Sequence, residues 1–186
     1  MTIRNSILIT ALILCMFSSA NAGINDLNSY ELYFKYGDGV IDGCDFKTYD
    51  NGQYYFKNSN IELRLKQNSS ISVTNNPLAL TDEFIFNKGV IGLKVASDTV
   101  LVKTPYGEVR ARNSTIVLKN SEDLIRICVI KGNVTIKKKT NFISLPAGKE
   151  IAISHNQVSK PYKYLDDLRY TWYWVEPARE PAFRDE

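Results

Sequence analysis

The sequence predicts an all-β fold, and three segments of similar design are the main reason. Each segment alternates apolar and polar residues, enters a short turn that carries glycine, and alternates again directly afterwards. The three segments span residues 102–109, 129–136 and 143–151. A period of two places alternate side chains on opposite faces of a strand, and the turns leave almost no room for helices.

The same pattern extends over most of the chain. Clusters of Gly, Asn, Asp and Ser separate short runs that are rich in β-branched and aromatic residues. The predicted strands lie at about residues 30–34, 54–56, 61–65, 71–73, 83–86, 90–95, 99–103, 108–112, 116–118, 124–130, 134–137, 141–145 and 150–154. Allowing for the least regular segments, we predict about fourteen short strands, in an irregular β-solenoid or a sandwich-like stack.

The spacing of the predicted strands favours the solenoid over the sandwich. The strands are so short, and their turns so close, that one unit would bury little apolar surface by itself. Stacked units would share a continuous core. The sequence has no strict repeat length, so the expected stack is irregular.

Residues 1–22 have the pattern of a cleavable signal peptide. Arg4 supplies the positive charge, an apolar run extends from Ile7 to Phe17, and Ala20-Asn21-Ala22 is a small-x-small cleavage site. The run is shorter than the roughly 20 apolar residues that a membrane-spanning helix needs. We therefore expect export to the periplasm, with no integral membrane segment after cleavage.

The charge balance of the chain argues against a nucleic-acid partner. The chain has 23 Lys and Arg against 20 Asp and Glu, for a net charge of +3 at pH 7. Such a balance does not predict a nucleic-acid-binding protein. The basic run at residues 137–139 lies between two predicted strands and is interpreted as a solvated turn.

Two cysteines remain after the predicted cleavage, Cys44 and Cys128. In an oxidising compartment an even number of cysteines is compatible with one disulfide bond. The alternative is two separate buried thiols that act as small apolar residues. Neither the spacing nor the neighbours indicate a metal site, and we predict no cofactor.

Three short motifs resemble the FecR-type domain, named for a periplasmic regulator of ferric-citrate uptake. The family's Val-x-Thr-Pro-x-Gly is similar to residues 102–107, its Val-x-Glu-Gly-x-Val-x-Val to residues 129–136, and its Leu-x-Ala-Gly-x-x-Val to residues 145–151. The resemblance covers about residues 37–158. It implies an exported β module that contacts another envelope protein, with a structural turn motif formed by Thr104, Pro105, Gly107, Gly132 and Gly148.

Two departures from the family pattern concern single positions. Asn113-Ser114 replaces the family's Gly-Thr step, and asparagine tolerates positive φ better than most residues other than glycine. Lys131 replaces a glutamate, which reverses an exposed charge. A third departure concerns organisation. In the membrane-bound FecR regulators that this domain resembles, an anti-sigma segment and a transmembrane helix precede the domain. In this sequence we expect a cleavable signal peptide in their place.

Residues 161–186 differ from the rest of the chain because they contain both tryptophans and several tyrosines. Leu165, Leu168, Trp172 and Val175 would form one stripe of a short helix, ended by the prolines that follow. We expect an aromatic helix or extension. It either caps exposed strand edges or docks on a partner through Tyr170, Trp172, Tyr173 and Trp174, since such side chains are favoured interface anchors.

No motif in the sequence indicates a catalytic site. His155 is the single histidine, and it follows the last predicted strand without a nucleophile elbow or a metalloprotease motif around it. The acidic doublets consist of adjacent residues, which point to opposite faces of a strand. We therefore predict that the protein is not an enzyme.

The sequence thus divides into a signal peptide at residues 1–22, a FecR-like all-β domain at 23–160 and an aromatic tail at 161–186. The predicted function is that of an exported, non-enzymatic binding or regulatory module of the bacterial envelope, acting through protein–protein contact. The alternative is a carbohydrate-binding or carbohydrate-active β-solenoid. The first function predicts a flat, exposed strand face, and the second predicts a groove lined by aromatic residues and convergent carboxylates.

Overall fold

The computed structural model of the chain describes residues 31–42, 44–76 and 81–163. These residues form thirteen strands and no helix, so the all-β class is confirmed. Within the same residues, no helix is present that could cross a membrane. The predicted signal peptide, and all of the predicted aromatic tail beyond residue 163, lie outside the described residues.

The strands vary in length from two residues to fifteen. Their bounds are β1 Glu31–Tyr36, β2 Gly39–Asp42, β3 Asp45–Thr48, β4 Gln53–Lys57, β5 Ile61–Leu65, β6 Ser70–Asn76, β7 Thr81–Val95, β8 Val100–Thr104, β9 Gly107–Asn120, β10 Leu124–Lys138, β11 Asn141–Pro146, β12 Lys149–Ser154 and β13 Tyr162–Lys163. All pairings are antiparallel except that of β7 with β8.

Three long strands, β7, β9 and β10, connect two layers of sheet. In layer one the order is β1, β4, β5, the second half of β7, the second half of β9, the first half of β10, β12 and β13. In layer two it is β2, β3, β6, the first halves of β7 and β9 with β8 between them, the second half of β10, and β11. Each long strand therefore belongs to both layers.

The strands cross between the layers at two corners, each made by a pair of residues with positive φ. At one corner Asn68 (φ 57°), in the connection from β5 to β6, lies beside Gly89 (φ 95°) of β7. At the other corner Asn113 (φ 46°) of β9 lies beside Gly132 (φ 83°) of β10. Glycine and asparagine adopt this backbone region at the lowest cost, so these residues permit sharp bends in continuous strands.

The core lies between the two layers and consists of one cluster of apolar side chains. Strands of layer one contribute Tyr54, Leu63, Leu93, Leu118 and Ile127, among others. Strands of layer two contribute Phe84, Phe86, Val102, Val109 and Ile136 to the same cluster. Two sheets whose inner faces interdigitate in this way form a sandwich.

Of the two predicted architectures, the sandwich-like stack is therefore the better description. The prediction that all strands are short is wrong for three of them. Three pairs of predicted strands, at 83–86 and 90–95, at 108–112 and 116–118, and at 124–130 and 134–137, are halves of β7, β9 and β10. In particular, Gly132 does not close a hairpin. Both halves of β10 pair with β9, so Gly132 is a bend within one strand.

Gly132 and Gly148 allow a matched test of the corner. Both have φ near 80°, but a Cβ on Gly132 would lie 2.4 Å from the Asn113 carbonyl oxygen, whereas nothing lies within 4 Å of one on Gly148. We expect Gly148→Ala to lower the free energy of unfolding by about 1 kcal/mol, the cost of the backbone conformation alone. Gly132→Ala should cost about 3 kcal/mol or more, since contact strain is added.

Urea denaturation of both variants measures the difference. Equal losses of stability would contradict the view that the corner is closed by contact between the two strands.

Candidate functional site

The outer face of layer two is exposed along two rows of side chains, and we call it the layer-two face. Strand register aligns its outward side chains in two rows across β7 to β11. The first row is Ile85, Lys103, Glu108, Lys137 and Phe142, and the second row is Glu83, Leu101, Arg110, Thr135 and Ser144. All ten side chains are at least partly exposed.

Two large apolar side chains mark the ends of the first row. Phe142 on β11 is 69% exposed and Ile85 on β7 is 37% exposed. Four strand spacings separate them, which corresponds to about 19 Å. Single exposed apolar side chains are ordinary on a protein surface, so the two residues mark this face only together with its pattern of charges and its open edge.

The charges of the layer-two face are paired rather than convergent. Lys103 Nζ lies 2.6 Å from Glu83 Oε1, and Lys137 Nζ lies 3.7 Å from Glu108 Oε2. Both pairs join residues of neighbouring strands. Exposed pairs of this kind add little stability, but they give the surface a pattern of alternating charge that a partner can match.

At its outer edge the layer-two face ends in β11, which pairs with β10 alone among the described strands. Most of its residues are exposed. An edge strand presents backbone N–H and C=O groups to which an extended segment of another chain can add. The layer-two face therefore combines a patterned surface with an open edge.

A shallow depression of about 560 Å³ lies at the corner formed by Gly89. Its lining includes Asn87, Lys88, Tyr106 and Glu122. The Tyr106 ring is largely buried and its hydroxyl donates to the Glu122 carbonyl oxygen at 2.5 Å. One aromatic ring and one carboxylate are fewer than a glycosidase-type groove requires, since that chemistry needs two carboxyls across the scissile bond.

The outer face of layer one, the layer-one face, differs sharply because its central row is buried. The row consists of Tyr55, Arg64, Gly92, Val117, Cys128, Glu150 and Tyr162, one residue from each of seven neighbouring strands. Arg64 is 3% exposed and Glu150 is fully buried. Val117 and Cys128 form an apolar cluster of their own, separate from the core.

Polar contacts connect the side chains of the layer-one face. The Arg64 guanidinium lies 4.7 Å from the centre of the Tyr55 ring, and the Tyr55 hydroxyl donates to Glu62 Oε2 at 2.9 Å. At the other side of the layer, Arg126 Nε and the Tyr162 hydroxyl donate to Glu150 Oε1 at 2.5 and 2.8 Å. Buried charges require such partners.

This environment shifts three pKa values. Burial, together with the hydrogen bond to Glu62, raises the pKa of Tyr55 to about 12. Burial and the hydrogen bond to Glu150 also raise the pKa of Tyr162. For Glu62 burial acts in the opposite direction, but hydrogen bonds from Lys94 and Tyr55 and the charges of Lys94 and Lys57 lower its pKa on balance.

The residues of the predicted turn motif lie at three separate places, none of them on the layer-two face. Thr104 and Gly107 flank the tight turn between β8 and β9, where the Thr104 hydroxyl donates to the Gly107 carbonyl oxygen at 2.8 Å and Pro105 is exposed. Gly132 lies at the corner described above. Gly148 lies in the turn between β11 and β12, where its N–H donates to the Val129 carbonyl oxygen.

The two cysteines lie on different layers. Cys44 is in the turn between β2 and β3 of layer two, and Cys128 is buried in the half of β10 that belongs to layer one. Strands β6, β7 and β9 separate the two positions in the sheet. The disulfide bond stays a prediction.

The single histidine is exposed, and its ring meets the edge of Tyr106 at 5.0 Å between ring centres. Within the described parts of the chain, no cluster of His, Cys, Asp and Glu could hold a metal ion. The predicted docking residues Tyr170, Trp172, Tyr173 and Trp174 lie outside the described residues.

Ile85 and Phe142 were not recognised from the sequence. Each is an apolar residue in the outward phase of a strand, since Phe84 and Phe86 flank Ile85, while Ile143 and Leu145 follow Phe142 in the inward phase. An apolar residue that breaks the alternation in this way is the signal that could have revealed the face.

The architecture is that of a two-layer β module with one exposed outer face. Residues 47–135 match the family model described as FecR protein, so this part of the chain is similar to a FecR-type domain. The match includes the motif at residues 102–107 and all but the last residue of the motif at residues 129–136, and it ends before the third motif, at residues 145–151.

Two crystal structures of a "putative anti-sigma factor" from Parabacteroides distasonis ATCC 8503 have a similar fold. Each matches with a TM-score of 0.59 and 12% sequence identity over 72% of this chain. This chain spans 65% and 64% of the length of those two chains. At that identity the likeness concerns the fold alone. No curated protein matches the sequence.

The lowered pKa of Glu62 predicts a pH-dependent contribution to stability. A carboxyl group whose pKa is lower in the folded state stabilises the fold at pH values above its pKa in the unfolded state, near 4.5. This contribution is lost as the pH falls through the pKa of the folded state. We expect Glu62→Gln to lower the free energy of unfolding by about 1 kcal/mol at pH 7. The difference from the parent chain should shrink below pH 4.5.

Chemical denaturation at a series of pH values measures this difference. The matched control is Glu122→Gln, an exposed residue in the turn between β9 and β10, which should leave stability unchanged at each pH. A loss for Glu62→Gln that is independent of pH would contradict the electrostatic origin.

Proposed function

We propose that the chain is an exported regulatory module of the bacterial envelope that acts by protein–protein contact through the layer-two face. The match of residues 47–135 to the FecR family supports a regulatory role, since this is a signalling family. The pattern of residues 1–22 supports export to the periplasm.

The observation that carries the proposal is the exposure of both Ile85 and Phe142 on the layer-two face. Either side chain alone would be an ordinary surface residue. Together they delimit a polar strip of paired charges about 19 Å wide, which is the scale of a small protein interface. Contact with a partner would remove both apolar side chains from water, and this supplies the favourable free energy.

The shape of the surface favours a protein partner over a carbohydrate chain. Sugar-binding sites place aromatic rings and polar groups in a groove, and Phe142 lies on an edge strand with paired charges beside it. The depression near Gly89 has one carboxylate, Glu122, and one largely buried ring. The layer-two face is therefore the better candidate site.

The test combines Ile85→Asp and Phe142→Asp in the full chain. Both positions are exposed, so the free energy of unfolding should change by about 0.5 kcal/mol or less for each substitution. Placing a charge at each end of the layer-two face should weaken partner binding by at least about tenfold, because each substitution costs on the order of 1–2 kcal/mol at an apolar contact.

The measurement is capture from a cell-envelope extract, followed by titration of the captured protein against each variant. Val158→Asp is the matched control, since Val158 is similarly exposed and lies beside β12, outside the layer-two face. A partner bound equally by the parent chain, by the chain with both Ile85→Asp and Phe142→Asp, and by Val158→Asp would contradict the assignment of binding to the layer-two face. Retention of the chain on protein-free peptidoglycan, unaffected by the substitutions, would instead favour the carbohydrate-binding alternative.

A further inference from the structure

β11 lies at an open edge of the sheet and differs from the other edge strands. Among the described strands, β1, β2, β11 and β13 each pair with one neighbour only. Charged residues, which discourage pairing with another chain, are present in three of them: Glu31 in β1, Asp42 in β2 and Lys163 in β13. β11 has the sequence Asn-Phe-Ile-Ser-Leu-Pro and carries no charge. Of the described edges, β11 is therefore the least protected against a further strand.

The turn that precedes β11 determines which backbone groups face the open side. A two-residue turn joins β10 to β11, so Asn141 and every second residue after it exchange backbone hydrogen bonds with β10. The Ala147 N–H continues this phase by donating to the Gly132 carbonyl oxygen. Phe142 and Ser144 therefore direct their backbone N–H and C=O groups away from β10, towards the open side.

A strand added at this side would also extend the core. Ile143 is partly buried and packs against the apolar cluster, and Leu145 in the same phase is buried. Apolar side chains at alternate positions of an added strand would cover Ile143 and remove it from water. The remaining positions of that strand would lie on the layer-two face, beside Phe142.

Five lysines lie near the two ends of β11, and the described residues supply one acidic partner for them. These are Lys137, Lys138 and Lys139 before the strand, and Lys131 and Lys149 near Pro146, where the strand ends.

The positive charge of these lysines is largely unbalanced. Glu108 Oε2 lies 3.7 Å from Lys137 Nζ, whereas Lys138 Nζ donates to two backbone carbonyl oxygens. Lys149 stands directly opposite Lys163 of β13. Like charges at directly opposite positions destabilise a strand pair. Acidic groups of a bound partner would therefore find favourable positions at both ends of β11.

Given the contact surface proposed above, on which this inference rests, we propose that β11 binds an extended acidic segment of a partner protein as an added strand. Backbone hydrogen bonds to Phe142 and Ser144 hold the segment, and its apolar positions cover Ile143. Its acidic positions lie among the lysines, which favours one register. A second copy of the chain is a poorer occupant, because two β11 strands side by side would bring two sets of lysines together.

The probe is a labelled synthetic peptide of about eight residues that alternates valine and glutamate. Its valines suit the inner side of an added strand. Its glutamates suit the lysines and, by mutual repulsion, keep the peptide from pairing with itself. We expect the peptide to bind the full chain, measured by fluorescence anisotropy at low ionic strength. A peptide that alternates valine and lysine should bind at least about tenfold more weakly.

Ser144→Pro tests the backbone contact. Proline removes the N–H that Ser144 directs to the open side and leaves the hydrogen bonds between β10 and β11 in place, so the thermal midpoint should stay nearly unchanged. Binding of the valine–glutamate peptide should weaken at least about tenfold. Ser144→Ala is the matched control, because it removes the exposed hydroxyl but keeps the N–H. It should bind the peptide as the parent chain does.

Charge reversal gives a second measurement that does not alter the backbone. Lys139→Glu combined with Lys149→Glu should weaken binding of the valine–glutamate peptide by on the order of tenfold at low ionic strength. The matched control is Lys47→Glu, since Lys47 is an exposed lysine on β3, near the opposite edge of layer two. That substitution should change binding by less than about twofold.

Four results would each overturn the proposal. Absence of peptide binding at millimolar concentration would mean that the edge accepts no strand. Equal binding by Ser144→Pro and the parent chain would assign the contact to side chains. Binding that survives Lys139→Glu with Lys149→Glu unchanged would remove the role of charge. Self-association of the chain that Ser144→Pro abolishes would make a second copy the occupant.

A comparison of variants separates strand addition from the contact surface itself. An envelope protein whose binding is lost with Ile85→Asp and Phe142→Asp but kept by Ser144→Pro would support the layer-two face and exclude strand addition at β11. Loss of that protein with Ser144→Pro, and its retention by Ser144→Ala, is the result we expect.

Discussion

The fold depends on two corners at which continuous strands pass from one layer to the other. Gly132 lies so close to the Asn113 carbonyl that no side chain fits between them, and Gly89 approaches the Ser69 backbone in the same way. Each corner therefore needs two residues with positive φ and no bulk at the contact. Because β7, β9 and β10 contribute to both layers, the corners place the inner faces of the layers against each other, and the apolar core follows from that placement.

The corners also determine which side chains face outwards. Inward residues are Phe84 and Phe86 before Gly89 but Ile91 and Leu93 after it, so the alternation shifts by one position. The same shift occurs at Asn113 in β9 and at Gly132 in β10. One strand can therefore present a charged outward face in layer two and a buried one in layer one. This difference separates the exposed layer-two face from the layer-one face, where six of the seven residues of the central row are buried.

Much of the local structure could be predicted, because alternation and turn residues act over a few positions. The positive φ of Asn113 agrees with the tolerance expected of asparagine at that step. The interpretation of residues 129–136 as a hairpin was wrong, since a glycine with positive φ suits a tight turn and a strand bend equally well. Only the pairing of both halves of β10 with β9 distinguishes the two. The layer-two face also depends on strand pairing that the sequence does not show. Phe142 belongs to this face because β11 pairs with β10 in the register that places Phe142 opposite Lys137.

The sequence by itself determined the all-β class, the approximate positions of most strands and the residues able to take unusual backbone conformations. These properties follow from steric preferences of single residues and from the period of two, which are local. The tertiary structure decided that strand pairs are continuous, that two layers share one core, and that Ile85 and Phe142 are exposed while Arg64 and Glu150 are buried. Burial is decided by what packs on a face, and residues distant in the sequence supply that packing.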